Sequence, residues 1–234
     1  GVRGNAGCYR AFTVTAPEGS ILNCRRPTAV NLRTRTGWYL APNIFRALAD
    51  AAPANVQAFS GLAVAAGIYG HDAAGGLYSD MLFCGGGQGA SARGDGVSAL
   101  LWPTSAANTA IELIESRAPI LVLEKAFIPD SGGSGRHRGG LGQRMRLRKR
   151  DDDGLTTLVS VYPEGVRNPI DGLFGGQPGG GALGNVTRGG IHHDCGTGEL
   201  VELTRPDEIV ELVLAGGAGF GDPATRPAAA IERD

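Results

Sequence analysis

Glycine is what most constrains this chain: 39 of its 234 residues are glycine, roughly twice the usual share of about 7%. They come in blocks, at Gly85 to Gly89, Gly132 to Gly142, Gly175 to Gly181 and Gly216 to Gly221. A flexible linker would carry Gly and Ser without planar and charged groups. The block Pro129 to Gln143, PDSGGSGRHRGGLGQ, instead interleaves its glycines with Asp130, Arg136, His137 and Arg138 and runs straight into an alternating strand at Arg144. Such blocks read as ordered loops in which backbones approach closely, so the fold must join short elements by long, packed connections.

The remaining composition narrows the function classes. A formal net charge of -1 offers no electrostatic case for nucleic acid. Cys8, Cys24, Cys84 and Cys195 include no CxxC pair and no dense framework, which favours reduced, cytoplasmic thiols over structural zinc or a disulfide scaffold. No apolar run approaches the ~20 residues of a membrane span, and the basic-then-apolar signature of a signal peptide is missing. A soluble cytoplasmic protein is expected. The chain starts without Met, enters an expected strand by Phe12 and stops at AAAIERD, which reads as the first turns of a helix, so a piece of something longer is expected.

Periodicity places the elements. Tyr9 to Val14 alternates as a strand, and APEGS turns the chain before Ile21 and Leu22. Ile44, Phe45, Leu48, Ala51 and Ala52 follow Pro42 at helical spacing, and Pro53 ends the run. Ser60 to Gly76 is small and apolar, suited to tightly packed backbone, and Tyr78 to Cys84 is a short strand. Thr104 and Ser105 are placed to cap a helix through Ile111 and Ile114, after which Ile120 to Ile128 reads as strand. Arg144 to Arg150 and Leu155 to Tyr162 flank Asp151 to Gly154 as a β-hairpin, and Leu200 to Thr204 and Ile209 to Leu214 supply the last strands. The expected fold is α+β, mostly antiparallel sheet with few helices and long glycine-rich loops, divided into a mixed α/β part over 1–118 and a β-rich part over 119–234.

Four constellations could carry chemistry. Gly85, Gly86, Gly87, Gln88 and Gly89 could present amides to an anion or substrate, although the run lacks the GK[ST] ending of a phosphate loop, and tight packing is the competing reading. Asp130, Arg136, His137 and Arg138 are the catalytic candidates, with forked guanidinium contacts to a carboxylate or phosphate set against a role pinning their own loop. Arg144, Arg146 and Arg148 give one strand a basic face, either solvated or contacting an acidic partner. His192, His193, Asp194 and Cys195 are the nearest thing to metal ligands, but neighbours on a strand diverge and no second cluster completes a site, so no metal is expected on this chain. Cys84 reads as a packed thiol rather than a nucleophile.

Taken together, NAGCYR (5–10), APEGSILN (16–23), GGGQGASARGDG (85–96), PTSAANTAIELIESRAP (103–119), IPDSGGSGRHRGGLGQ (128–143), GLFGGQPG (172–179) and GGAGFGDP (216–223) resemble the C-terminal half of the hydantoinase B/oxoprolinase family. The resemblance implies one component of an ATP-dependent cyclic-amide hydrolase. An A-type partner subunit binds ATP and phosphorylates the carbonyl of hydantoin, 5-oxoproline or another lactam, and the B-type subunit completes the reaction. The runner-up reading is a subunit of an ATP-dependent ketone carboxylase of the acetone or acetophenone type, and a non-catalytic scaffold is the third. Family members are about twice as long, and their metal-binding residues lie in the N-terminal half. ATP with Mg and a divalent metal are therefore expected in the partner or in a missing N-terminal portion, with this chain inactive alone. It would be a fragment or a split subunit within a hetero-oligomer.

Overall fold

The computed structural model of the chain describes residue 7, residue 10 and residues 13–30, 33–62, 64–104, 106–163 and 171–231. The expected strand Tyr9 to Val14 and the NAGCYR motif lie largely outside these residues, as does Ser105. Contacts divide the chain into two units, Gly1–Leu40 and Ala41–Asp234.

In the first unit the expected turn is present. Gly19, with φ of 83°, donates its N–H to the Asn23 carbonyl at 2.7 Å, and Arg25 pairs with Glu18 at 2.9 Å. Helix α1 (Arg33–Trp38) follows, and α2 (Leu40–Leu48) crosses the boundary between the units. Its Pro42 sits in the first turn, where the missing N–H is harmless.

The second unit is built on two antiparallel sheets. One has the order β2 (Leu77–Cys84), β1 (Val64–His71), β5 (Thr157–Val161), β8 (Glu199–Leu203); the other runs β3 (Ile120–Phe127), β4 (Gln143–Lys149), β9 (Ile209–Leu214), β6 (Leu183–Arg188), β7 (Ile191–Asp194). With α3 (Ile111–Arg117) and α4 (Ala228–Ile231), these bear out the α+β, mostly antiparallel expectation. Strand alternation sends one face of each sheet into a shared core. Ile68, Leu82, Val159, Val161 and Leu203 of the first sheet meet Ile120, Met145, Leu147, Val210 and Leu214 of the second, with Ile114 of α3 packed among them. A smaller cluster joins Ala49, Val56, Ala90 and Phe220, with Phe45 against it.

Three expectations are corrected. Strands β4 and β5 do not form a hairpin: β4 pairs with β3 and β9, whereas β5 pairs with β1 and β8. The acidic turn therefore carries the chain from one sheet to the other, and fully buried Lys149 pins the crossing by bonding Asp153 and the Leu155 carbonyl. No boundary falls at position 118, because β1 and β2 share a sheet with β5 and β8. Finally, α3 starts at Ile111 after Ala110, with no side-chain cap, while the Thr104 hydroxyl bonds back to the Leu101 carbonyl.

The glycine blocks assemble at one end of the sheets. They leave the ends of β2 and β9, enter β6, and connect β3 to β4, whose joining loop is closed at its base by the Ile128 N–H on the Gly142 carbonyl. Along 216–220 the bonding partners change with a period of three. Gly216 and Gly219 donate to Gly180 and Gln177; Gly217 and Phe220 donate to Gly140 and His137; Ala218 donates to Phe59. A strand bonds on two sides, whereas three directions per turn is the repeat of an extended polyproline-II-type helix. Close packing of such segments leaves no room for side chains: a Cβ on Gly217 would lie 2.0 Å from the Gln88 carbonyl oxygen, and one on Gly139 1.8 Å from the Gly217 carbonyl oxygen. The glycine blocks are thus backbone-on-backbone construction.

Candidate functional site

At the rim of this glycine array lies a cleft of about 520 Å³, lined by residues of the β3–β4 loop and of the segment after the last glycine block. Phe127, Pro129, Leu141, Pro223 and Ile231 contribute apolar lining, and Asp130, Ser134, Arg138 and Arg226 bring polar groups. The local backbone explains the exposure of Asp130. It stands at φ 57°, a left-handed position that Asp tolerates better than most residues. Behind it, the buried Ser131 hydroxyl donates to Ile128 O at 2.6 Å and accepts the Gly142 N–H at 2.8 Å, holding the loop's neck shut.

Beside the cleft, Asp95 organises the charged groups. Arg226 grips it through two parallel bonds of 2.9 Å and donates a third, at 3.1 Å, to the Arg136 carbonyl. The Arg138 backbone N–H also reaches Asp95 at 2.9 Å, and His137 Nδ1 lies 3.8 Å away. The Arg226 guanidinium holds the Asp95 carboxyl below its ordinary range, against burial pushing the other way, with the Arg138 N–H adding to the effect. This latch fixes the segment 222–226 onto the array. The Asp222 side chain adds to that by accepting the Ala224 N–H and capping the short turn Pro223–Thr225.

The catalytic candidates are therefore distributed unequally. Asp130 and Arg138 line the cleft, His137 turns toward Asp95, and Arg136 contributes its backbone while its side chain is exposed. Asp95 and Arg226 were not singled out in sequence. Only their separation of 131 residues, closed by the fold, makes them a pair.

The anion reading of the first glycine loop is corrected. Gly85 N–H bonds Asn108 Oδ1, Gly87 bonds Ala215 O, Gln88 bonds Val97 O and Gly89 bonds Ser60 Oγ, so these amides are consumed within the protein. Arg144 and Arg146 each lie between Glu124 of β3 and Glu211 of β9 at 3.5–3.8 Å, and Arg148 bonds the Lys149 and Arg150 carbonyls. The charge of the basic strip is partly offset within its own sheet.

Cys84 is buried, its Sγ 4.0 Å from Met145 Sδ, and burial pushes its thiol up to about 11 although Lys125 pulls it down. It stays protonated at neutral pH. The divalent metal that the resemblance implies finds no ligand set among the described residues. Among the described residues no three metal-ligating side chains converge, Asp95 is held by Arg226, and His192 on β7 bonds the Thr187 hydroxyl at 2.8 Å.

Comparison with known proteins decides the lineage. The hydantoinase B/oxoprolinase family description matches residues 2–223. The chain belongs to the hydantoinase B/oxoprolinase family. It is 32% identical to the beta subunit of caprolactamase from Pseudomonas jessenii over 98% of this chain and 41% of that subunit. An uncharacterized protein of Methanocaldococcus jannaschii is 31% identical over 95% of this chain and 38% of its own length. The ATP-dependent caprolactamase structure from Pseudomonas jessenii superposes with a TM-score of 0.67 at 30% identity, covering 81% of this chain and 34% of that one. Acetone carboxylase shares the fold, with a TM-score of 0.64 at 18% identity over 83% of this chain and 30% of that one. The chain thus spans about two fifths of the length of these two curated relatives. Among the described residues no helix is long and apolar enough to cross a membrane.

Proposed function

We propose that this chain is a component of an ATP-dependent cyclic-amide hydrolase, acting on a phosphorylated intermediate made by an A-type partner subunit. The observation that carries this reading is the 32% identity to a caprolactamase beta subunit over 98% of the chain. An amide carbonyl is a poor electrophile; phosphorylating its oxygen activates the carbon so that water adds there, the C–N bond breaks with the nitrogen leaving as a protonated amine, and the acyl phosphate left behind is hydrolysed to carboxylate and inorganic phosphate. The cleft suits the later part of such a reaction. Arg138 and Arg226 bring guanidinium groups to its lining.

In this reading ATP, Mg and a divalent metal belong to the partner or to the remainder of a B-type subunit, the assembly is a cytoplasmic hetero-oligomer, and the chain alone is inactive. The arginine strip of β4 is a partner contact, its charge reduced but not removed by Glu124 and Glu211. Arg146→Glu combined with Arg148→Glu is expected to weaken co-purification with the partner; unchanged co-purification removes the strip from the interface. The activity itself is tested by combining the parts and measuring ATP hydrolysis with hydantoin, 5-oxoproline or caprolactam. Stimulation by a lactam supports the reading. Turnover that instead requires bicarbonate and a ketone assigns the chain to carboxylase chemistry.

A further inference from the structure

The outer faces of the two sheets differ in kind. On the second sheet that face carries Arg144, Arg146, Glu124 and Glu211. On the first it is apolar: the register sets Leu77, Met81 and Phe83 of β2, Tyr69 of β1, Leu158 of β5 and Leu200 of β8 on one side, with no arginine or lysine among them. Leu77, Met81, Phe83 and Leu200 are exposed. A sheet with one solvated face alternates apolar with polar residues, whereas a strand covered on both faces is an unbroken apolar run. Residues 81–84, MLFC, are such a run, with Leu82 and Cys84 in the core and Met81 and Phe83 turned away from it. The face is also flat, because Tyr69 lies over Gly67, where a Cβ would stand 2.1 Å from its hydroxyl oxygen. Both edges of the sheet are blunted against a further strand. At β2 the Phe83 N–H and carbonyl are bonded by the Thr109 hydroxyl and N–H at 3.1 and 2.9 Å, and at β8 Arg188 takes the Glu202 carbonyl at 2.8 Å. A covering layer therefore packs on the face and not along an edge.

We infer that this apolar face seats the remainder of a B-type subunit, which lies on it as a third layer through an apolar surface of its own. This rests on the reading above, in which the chain works together with such a remainder. The chain matches 41% of the caprolactamase beta subunit, so more than half of a subunit of that kind is further polypeptide. Permanent contacts resemble a core cut in two, while exchangeable ones are more polar. The rest of the same subunit is a permanent partner, and the apolar face is of the first kind. The arginine strip on the other sheet is of the second kind and is left to the A-type subunit.

The chain holds two methionines, Met81 on this face and Met145 fully buried in the core. Dilute hydrogen peroxide therefore reads the face directly, since an accessible thioether is converted to its sulfoxide. The full chain is treated alone and after co-expression with the part of the Pseudomonas jessenii caprolactamase beta subunit that it does not match, and each sulfoxide is quantified by peptide mass spectrometry. In the chain alone Met81 is expected to oxidise about tenfold or more faster than Met145, and in the complex to slow by a similar factor. Met81→Glu combined with Phe83→Glu should abolish co-purification with a melting temperature close to the parent's. Where that pair melts far below the parent, the Met81 oxidation rates decide. Met81 that stays as reactive in the complex, a folded Glu pair that co-purifies like the parent, no co-purification of the parent, or a self-associated chain whose Met81 is already protected overturns the inference. The two readings fail separately. Lactam-stimulated ATP hydrolysis in an assembly whose Met81 stays reactive removes the interface and leaves the hydrolase, whereas a protected Met81 in an assembly that no lactam stimulates does the reverse.

Discussion

Asp95 shows how a single carboxylate can hold the rim of a cleft together. Its folded pKa lies below the ordinary 3.8, chiefly through the side-chain bonds of Arg226, so the sign of the linkage is fixed. The stabilisation is complete above the unfolded value and disappears as pH falls through the lowered folded value. Denaturation midpoints measured from neutral to strongly acidic pH should show the parent above Asp95→Asn at pH 7 and the two converging in acid. Parallel curves would mean that the latch contributes nothing. Glycine residues give an equally sharp contrast. Gly217→Ala forces a Cβ to 2.0 Å from a carbonyl oxygen, whereas Gly37 in α1 meets nothing within 4 Å. The first substitution is expected to cost about 2–4 kcal/mol in chemical denaturation and the second to stabilise by about 0.5–1 kcal/mol. Asp130 and Arg138 were candidates from their place inside a charged glycine block, and the fold sets both along one cleft. Asp95 and Arg226 carry no local signal, since each acquires its role only when a distant segment is folded against it.

At the scale of elements, the strands were read best where one face is buried. β4 alternates arginines with Met145 and Leu147, both fully buried, and period-two burial is what a half-covered sheet imposes. β1 was read only as tightly packed backbone, because Gly67 and Gly70 interrupt its pattern. In the fold Tyr69 lies over Gly67 and Tyr78 over Gly70, filling the space those glycines leave. The acidic turn after β4 has the composition of a hairpin, yet a turn's residues do not specify which sheet the next strand joins. Lys149 decides that crossing. Lys149→Met keeps the volume but strips the Leu155 carbonyl of its donor, at a cost of about 1–3 kcal/mol. At ~2–4 °C per kcal/mol for a chain of this size, Tm should fall by about 2–12 °C; an unchanged Tm would show that the buried ammonium is not the anchor.

For the molecule as a whole, two sheets enclose a hydrophobic core while the glycine blocks, stacked at their ends, form a second structural system held by backbone hydrogen bonds. Composition announced that system without revealing its geometry, because a period-three array depends on which segments lie side by side and not on any one of them. Where glycine backbone packs on backbone, as at Gly139 and Gly217, the array supplies a rigid floor on which the cleft residues are set. Whether that cleft belongs to a lactam hydrolase is the central question, and product analysis answers it most directly. The chain is assembled with its A-type partner and the remainder of a B-type subunit, supplied with caprolactam and ATP, and the ring-opened amino acid and ADP are quantified together. The account predicts amino acid that forms in fixed ratio to ADP and only when this chain is present. Ring opening that proceeds without ATP or without this chain, or ATP consumption that no lactam stimulates, would contradict it.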